Sequence, residues 1–319
     1  MRLCFIIAWN SFRELLRQPA YLVVLTGAVA LILLLANVSY FGFGEEARLV
    51  KTTSLSILLL SGLLNAVLGA AAAVAQEVRT GTALTLLAKP VGRTRFLLAK
   101  YGGIALALSV QVHVTLLATL LAGRMAFEAH ESPDWWAIGA GVTAIMAAFV
   151  VGGLSNYFTQ RSFHSDTAFA LAGLFTVGFL VVGFVDRTGA VQSFGAGLDW
   201  RLVPAGVLGL LALWVLAALA LACAARMTLL PTLVVCSGFF LVGLLSEQLF
   251  GTAARNGSWL AAVGYTVLPN WQVFWLADVF GGAGSIPIAY VAKAALYCGV
   301  YLVLTLTVAL LLFEDRDLT

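Results

Sequence analysis

Residues 203–224 read VPAGVLGLLALWVLAALALACA, a run of 22 positions without a charged side chain. At about 1.5 Å per residue a helix of that length crosses roughly 30 Å of hydrocarbon. The same kind of run recurs along the chain, and hydropathy predicts spans at Ala20–Phe41, Ser54–Ala75, Leu98–Ala122, Ala137–Phe158, Ala168–Val185, Val203–Ala224, Leu229–Phe250 and Ile288–Phe313. The composition agrees. Of 319 residues, 61% are hydrophobic and only 10% charged, with a mean hydropathy of +0.99. So few ionisable groups cannot cover a water-soluble globule, so the fold class is an all-α, polytopic helical membrane protein of about eight transmembrane helices. The segment Ala168–Val185 is short enough to read alternatively as re-entrant.

In membrane chains the placement of Lys and Arg carries more information than their sum. With the N-terminus inside, 11 of the 18 basic residues fall on inner segments: Arg2, Arg13, Arg17, Arg79, Lys89, Arg93, Arg95, Lys100, Arg161, Arg226 and Arg316. Arg48, Lys51, Arg124, Arg187, Arg201 and Arg255 fall outside, and Lys293 near the outer end of the last span can snorkel. Both termini are therefore expected in the cytoplasm. The first twenty residues lack a small-residue cleavage site and read as retained. Cys4, Cys223, Cys236 and Cys298 show neither CxxC nor Cys/His spacing and read as free thiols, with no metal site and no disulfide scaffold. Gly173, Gly178 and Gly183 recur at five-residue steps that Gly238 and Gly243 repeat. This records either a duplicated hairpin or the usual enrichment of small residues where membrane helices pack.

Two stretches are not spans. In the first, Phe5, Trp9, Phe12 and Leu16 recur at helical steps while Asn10, Arg13, Glu14 and Arg17 take other faces, and Pro19 interrupts the ladder. Residues 1–19 thus read as an N-terminal amphipathic helix lying in the headgroup layer, followed by a transmembrane domain, 20–319. The second is QEVRTGTALTLLAKPVGRTRFLLAK, Gln76–Lys100, with a net charge of +4. Gly81 breaks the descending span, Thr82 is placed to cap a short helix through Ala88, and Pro90 with Gly92 ends it before Thr94 caps the next span. Leu84, Leu86 and Leu87 give that helix more apolar surface than a connector needs, flanked by charge, which is a docking feature.

These residues carry a resemblance. Glu77, Gly81 and Thr82, then Lys89, Pro90, Val91 and Arg93, then Leu97, Leu98, Lys100 and Tyr101 form a pattern similar to the cytoplasmic loop of ABC-2 type permeases, the membrane subunits of type V ABC transporters. Arg13–Pro19, RELLRQP, resembles that family's interfacial connecting helix, and Pro269, Asn270, Phe274 and Trp275 resemble a late P-N-x-x-x-F-W element ahead of the last span. The first 120 residues match well and the last 60 moderately. Family members usually have six spans, so an extra hairpin between Ala137 and Ala224 is expected. The resemblance implies a permease, an exporter in the bacterial inner membrane, that pairs with a second permease and with two cytosolic ATPases. It implies that the loop 76–97 couples to those ATPases through Glu77, Arg79, Gly81, Thr82, Leu84, Leu86, Leu87, Lys89, Pro90, Arg93 and Arg95. The N-terminal helix would supply a second contact, and Pro269, Asn270, Phe274 and Trp275 an extracellular gate. ATP and magnesium would sit on the partner, no cofactor on this chain, and no nucleic-acid partner is expected.

The aromatic segment 251–287 (Trp259, Tyr265, Trp271, Trp275 and Phe280 among glycines) reads as partly inserted short helices or as an aromatic belt. No phosphate-cradling G-x-x-x-x-G-K-[ST] occurs, so the chain is not expected to be an enzyme. His113 with Gln111 in the third span reads either as path-lining or as a pair bonded to neighbouring helices. Glu45, Glu46 and Arg48 lack the spacing of a di-acidic protease motif. A secondary transporter would need ionisable residues at the midplane, and the spans carry almost none. The other class left standing is a non-transport membrane component, an assembly factor or an intramembrane hydrolase.

Overall fold

A computed structural model describes residues 2–38, 45–80, 92–126, 133–276, 280 and 284–314. Among them the chain is helical, with one isolated β-bridge between Val185 and Val191. Helix α1 (Arg2–Leu16) ends before Gln18, which is extended, and Pro19 occupies the first turn of α2 (Pro19–Ala36). Proline suits that position because its missing N–H would have no helical partner there. Then follow α3 (Glu46–Thr80), α4 (Arg93–Met125), α5 (Trp135–Thr159), α6 (Phe163–Gly183), α7 (Leu202–Ala224) and α8 (Leu229–Leu244). A π-helical turn (Glu247–Gly251) leads through α9 (Thr252–Arg255) to α10 (Trp259–Val267), a 3₁₀ turn (Trp271–Val273) and α11 (Ile288–Glu314).

Seven of these helices, α2 to α7 and α11, are long and apolar enough to cross a membrane. The chain is an integral membrane protein. The eighth expected span, Leu229–Phe250, is α-helical for 16 residues to Leu244 and continues helically through the π turn Glu247–Gly251. Helix α6 is one continuous helix of 21 residues, long and apolar enough to cross. Thr94 does not cap α4; Gly92 holds that position and the helix begins at Arg93. Asp134 caps α5 by accepting a hydrogen bond from the Ala137 N–H at 3.0 Å.

Helices α3, α4 and α7 form the centre, with two thirds or more of their apolar windows buried, against 22% for α11. The α5–α6 hairpin stands at the side, its helices closely apposed where Gly152 meets Thr167. This pair falls in the stretch Ala137–Ala224, where the sequence predicts an extra hairpin. The glycine repeats have no common role: Gly183 faces Phe194, Gly243 faces Trp271, and Gly173 and Gly238 face open space.

Polar ties cross the centre where water is absent and each bond replaces one the backbone cannot supply. Asn65 Nδ2 donates to Gln111 Oε1 (2.8 Å) and Gln111 Nε2 to Ser61 Oγ (3.1 Å), joining α3 to α4. Tyr21 donates to the Ala107 carbonyl, and Tyr101 to that of Trp214. At the end remote from α1, the buried Arg124 and Asp134 pair at 2.6 Å, and Arg124 also donates to the Val182 carbonyl. There Lys51 reaches Asp199 at 2.7 Å, and Asp199 also accepts from Arg201. The Asp199 carboxyl is partly buried, which alone would raise its pKa, but hydrogen bonds from Arg201 and Lys51 outweigh this and hold it well below the usual carboxylate range.

Candidate functional site

Helix α1 is not a free surface helix. Its predicted apolar stripe divides: Phe12 and Leu16 are buried in the bundle, while Phe5 and Trp9 stay exposed. The buried side crosses α4 at Gly103, where a Cβ would stand 2.6 Å from Ser11 Cβ, 2.7 Å from the Ala8 carbonyl oxygen and 2.9 Å from the Phe12 nitrogen. Only glycine admits backbone this close. Beside it Lys100 Nζ lies 3.6 Å from Glu14 Oε2, and Leu15 rests on Gly69 of α3. Arg13 and Arg17 remain on the exposed side.

These crossings fix a geometry the sequence did not reveal. From Gly69 to the end of α3 at Thr80 the helix advances about 17 Å, and from Arg93 to Gly103 α4 advances about 15 Å. The ends of the two legs, Thr80 and Arg93, therefore stand roughly 15 Å of helix past the level at which α1 crosses them. Glu77 and Arg79 lie in the last turns of α3, and Arg93 and Arg95 open α4. Gly81, Thr82, Leu84, Leu86, Leu87, Lys89 and Pro90 lie outside the described residues, and the expected short helix with them.

Near the remote end a second unit forms around three tyrosines of α11. Tyr301 donates to the Thr266 carbonyl (2.8 Å), the Asn270 N–H donates to Tyr297 (2.8 Å), and Tyr290 donates to the Val273 carbonyl (2.8 Å). As the contacted residue number rises, the α11 partner moves back toward the helix start. The segment therefore descends along α10, turns near Leu268 and climbs back. Its tip is level with Tyr301, thirteen residues into α11 or about 20 Å below its start. Residues 259–275 make a hairpin folded back against α11.

Trp271, missed as an anchor by the sequence reading, is its most buried member, packed on Phe240 with its Nε1 toward the Phe239 carbonyl. Phe274 is buried, and Phe274 with Trp275 faces Leu55, Leu58 and Leu59 of α3 and Gly209 of α7 across a narrow, mostly apolar gap. Asn270 accepts from the Gln272 N–H, capping the 3₁₀ turn, while Pro269 has its carbonyl close to Gly243 of α8. Past the end of α8, Glu247 bonds Arg255 at 2.5 Å and accepts from Tyr265 at 2.8 Å, tying the π turn to the hairpin. A lone acidic residue within an apolar run, followed eight positions later by an arginine, was the available signal.

Gln111 is fully buried in its bond to Asn65, and His113 bonds Thr176 of α6 at 2.9 Å. Both tie helices together. The four cysteines are free, and no group of three or more metal-ligating side chains occurs among the described residues. The chain matches no known family model, and no curated protein is significantly similar to it.

Proposed function

We propose that this chain is the membrane-spanning permease subunit of an ATP-binding-cassette exporter, working as a dimer with two cytosolic ATPases that hold the ATP and magnesium. The observation that supports this most is the overshoot of the ends of α3 and α4 past α1, about 15 Å of helix beyond the crossing on each leg. A loop that only joined two spans would need no such reach.

The mechanism follows from rigidity. Force applied to the 81–92 connection enters two helices that are continuous through the membrane, cross-tied by Asn65, Gln111 and Ser61 and clamped by α1 at Gly103. A displacement there is passed on as a tilt of the whole α1–α3–α4 unit. At the far end α3 abuts Phe274 and Trp275, so the same tilt would loosen the hairpin packed against it. The hairpin is the outer gate in this reading, with Trp271 as its anchor. The described spans carry few charges, most of them near helix ends, which favours a machine driven from one face over one driven by ions through its centre.

Co-expression with a cytosolic ATPase of the ATP-binding-cassette type tests the proposal. Leu86→Asp or Arg93→Glu should abolish co-purification while the permease still inserts; binding retained by both variants would refute the docking assignment.

A further inference from the structure

A cleft of about 480 Å³ opens between the end of α1 and the turn joining α5 to α6, lined by Arg13, Arg17, Gln160, Arg161, Ser162, Ser165 and Asp166. Three guanidinium groups and one carboxylate leave it with a net charge of +2. The arginines are not consumed by neighbours. Glu14, the acidic residue nearest Arg13 and Arg17 in sequence, is turned toward Lys100. Arg161 approaches Asp166 only to 3.9 Å and is mostly exposed, while Asp166 is already bonded by the Ser155 hydroxyl. Among the described residues no acidic side chain pairs with Arg13 or Arg17.

The floor of the cleft is polar as well. Ser162 caps the 21-residue helix α6, whose positive dipole end opens into the same space, and the hydroxyl of Ser165 lies one turn further on. Gln160 sits at the apex of the turn in a left-handed conformation, φ 55°.

Position selects the source of the anion. The cleft lies where α1 passes into α2 and α5 into α6, at the ends of three spans. Tyr157 and Phe158, 75% and 74% exposed on the last turn of α5, and Phe5 and Trp9 on α1 are the aromatic residues that settle at headgroup depth. A molecule entering between these rings brings acyl chains along the outer face of α5 and α6, where Leu154, Phe169 and Val177 are exposed. We propose that this cleft binds the phosphate-bearing head of an anionic membrane lipid, held by the guanidinium groups of Arg13, Arg17 and Arg161. The site pins α1 to the α5–α6 hairpin through a lipid, alongside the Phe12–Phe169 ring contact at 5.9 Å.

Native mass spectrometry of the full chain in detergent, titrated with phosphatidylglycerol or phosphatidylcholine, tests this. One phosphatidylglycerol should be retained in preference to phosphatidylcholine. Retention should fall about tenfold or more in R13Q/R17Q, because each charged hydrogen bond to phosphate is among the strong ones. R161Q, on the opposite wall, should weaken retention separately, and R95Q, a basic residue at the same end but outside the cleft, should leave it unchanged. Excess inorganic phosphate should not displace the lipid. The proposal is overturned by equal retention of phosphatidylcholine, by an R95Q effect as large as that of R13Q/R17Q, or by displacement with phosphate alone. It is also overturned if R13Q/R17Q keeps the lipid and loses only a co-purifying ATPase, which would make the arginines a protein contact.

Discussion

Gly103→Ala would test whether α1 is clamped to α4 as a working part or merely lies beside it. The added methyl meets three atoms of α1 at 2.6, 2.7 and 2.9 Å, two of them backbone, so no rotamer change relieves the overlap. Restoring ordinary contact requires α1 to withdraw by about 0.8 Å. That shift would stretch the 3.6 Å approach of Lys100 to Glu14 and loosen the packing of Phe12 and Leu16. Overpacking of this kind costs about 1–3 kcal/mol. Gly102→Ala is the control: its methyl would find only Ala8 Cβ at 3.7 Å, an ordinary contact. Both substitutions gain the same helix propensity, roughly 1 kcal/mol, so the difference between them isolates the clash. The midpoint of thermal unfolding in detergent, followed by size-exclusion of a fluorescent fusion, should be lower for Gly103→Ala and unchanged or raised for Gly102→Ala. Equal midpoints would refute the close crossing, and with it the rigid α1–α3–α4 unit.

Three further outcomes are expected. Asp134→Ala strands the buried Arg124 and removes the α5 cap, and should destabilise the chain by about 3–5 kcal/mol, whereas the apolar pair Arg124→Met with Asp134→Leu should recover most of the loss in the same unfolding assay. Gln111→Leu should cost about 1 kcal/mol by leaving Asn65 and Ser61 without their partner, and adding Asn65→Leu should restore stability; a double variant no better than the single would count against the tie. Because the folded Asp199 is held below its ordinary value of 3.8, its contribution to stability is complete above that pH and is lost as pH falls below it. Asp199→Asn should flatten that acid limb, and an unaltered limb would show that the Lys51–Asp199–Arg201 cluster does not stabilise the fold.

The spans were legible because an apolar run of hydrocarbon length has few ways to fold. The π turn after α8 was not, because Leu244, Leu245, Leu249 and Phe250 keep the average hydropathy high across Glu247, and a sliding window dilutes one charge among many apolar neighbours. Pro19 marks its boundary correctly, since proline acts through local geometry. Thr94 reads as a cap in the sequence, yet Gly92 also tolerates the cap conformation, and which of the two serves depends on where the tertiary packing starts α4. The Arg124–Asp134 pair reads as loop charges, its burial being a property of the assembled helix ends. Of the candidate site, the amphipathic stripe of α1 was visible, but its division between bundle and exposed surface depends on Gly102–Gly103, a small-residue pair whose meaning comes only from the helix that crosses it. The hairpin's register, set by Tyr290, Tyr297 and Tyr301, is a long-range match with no local signature.

Thiol labelling at Leu86→Cys in a background lacking Cys4, Cys223, Cys236 and Cys298 tests the central claim most directly. With the permease alone the introduced thiol should react rapidly, and with the ATPase bound it should be protected, while a thiol at Met227, exposed between α7 and α8, keeps its reactivity. Equal labelling of Leu86→Cys with and without the ATPase would contradict the claim that this connection is where the motor grips.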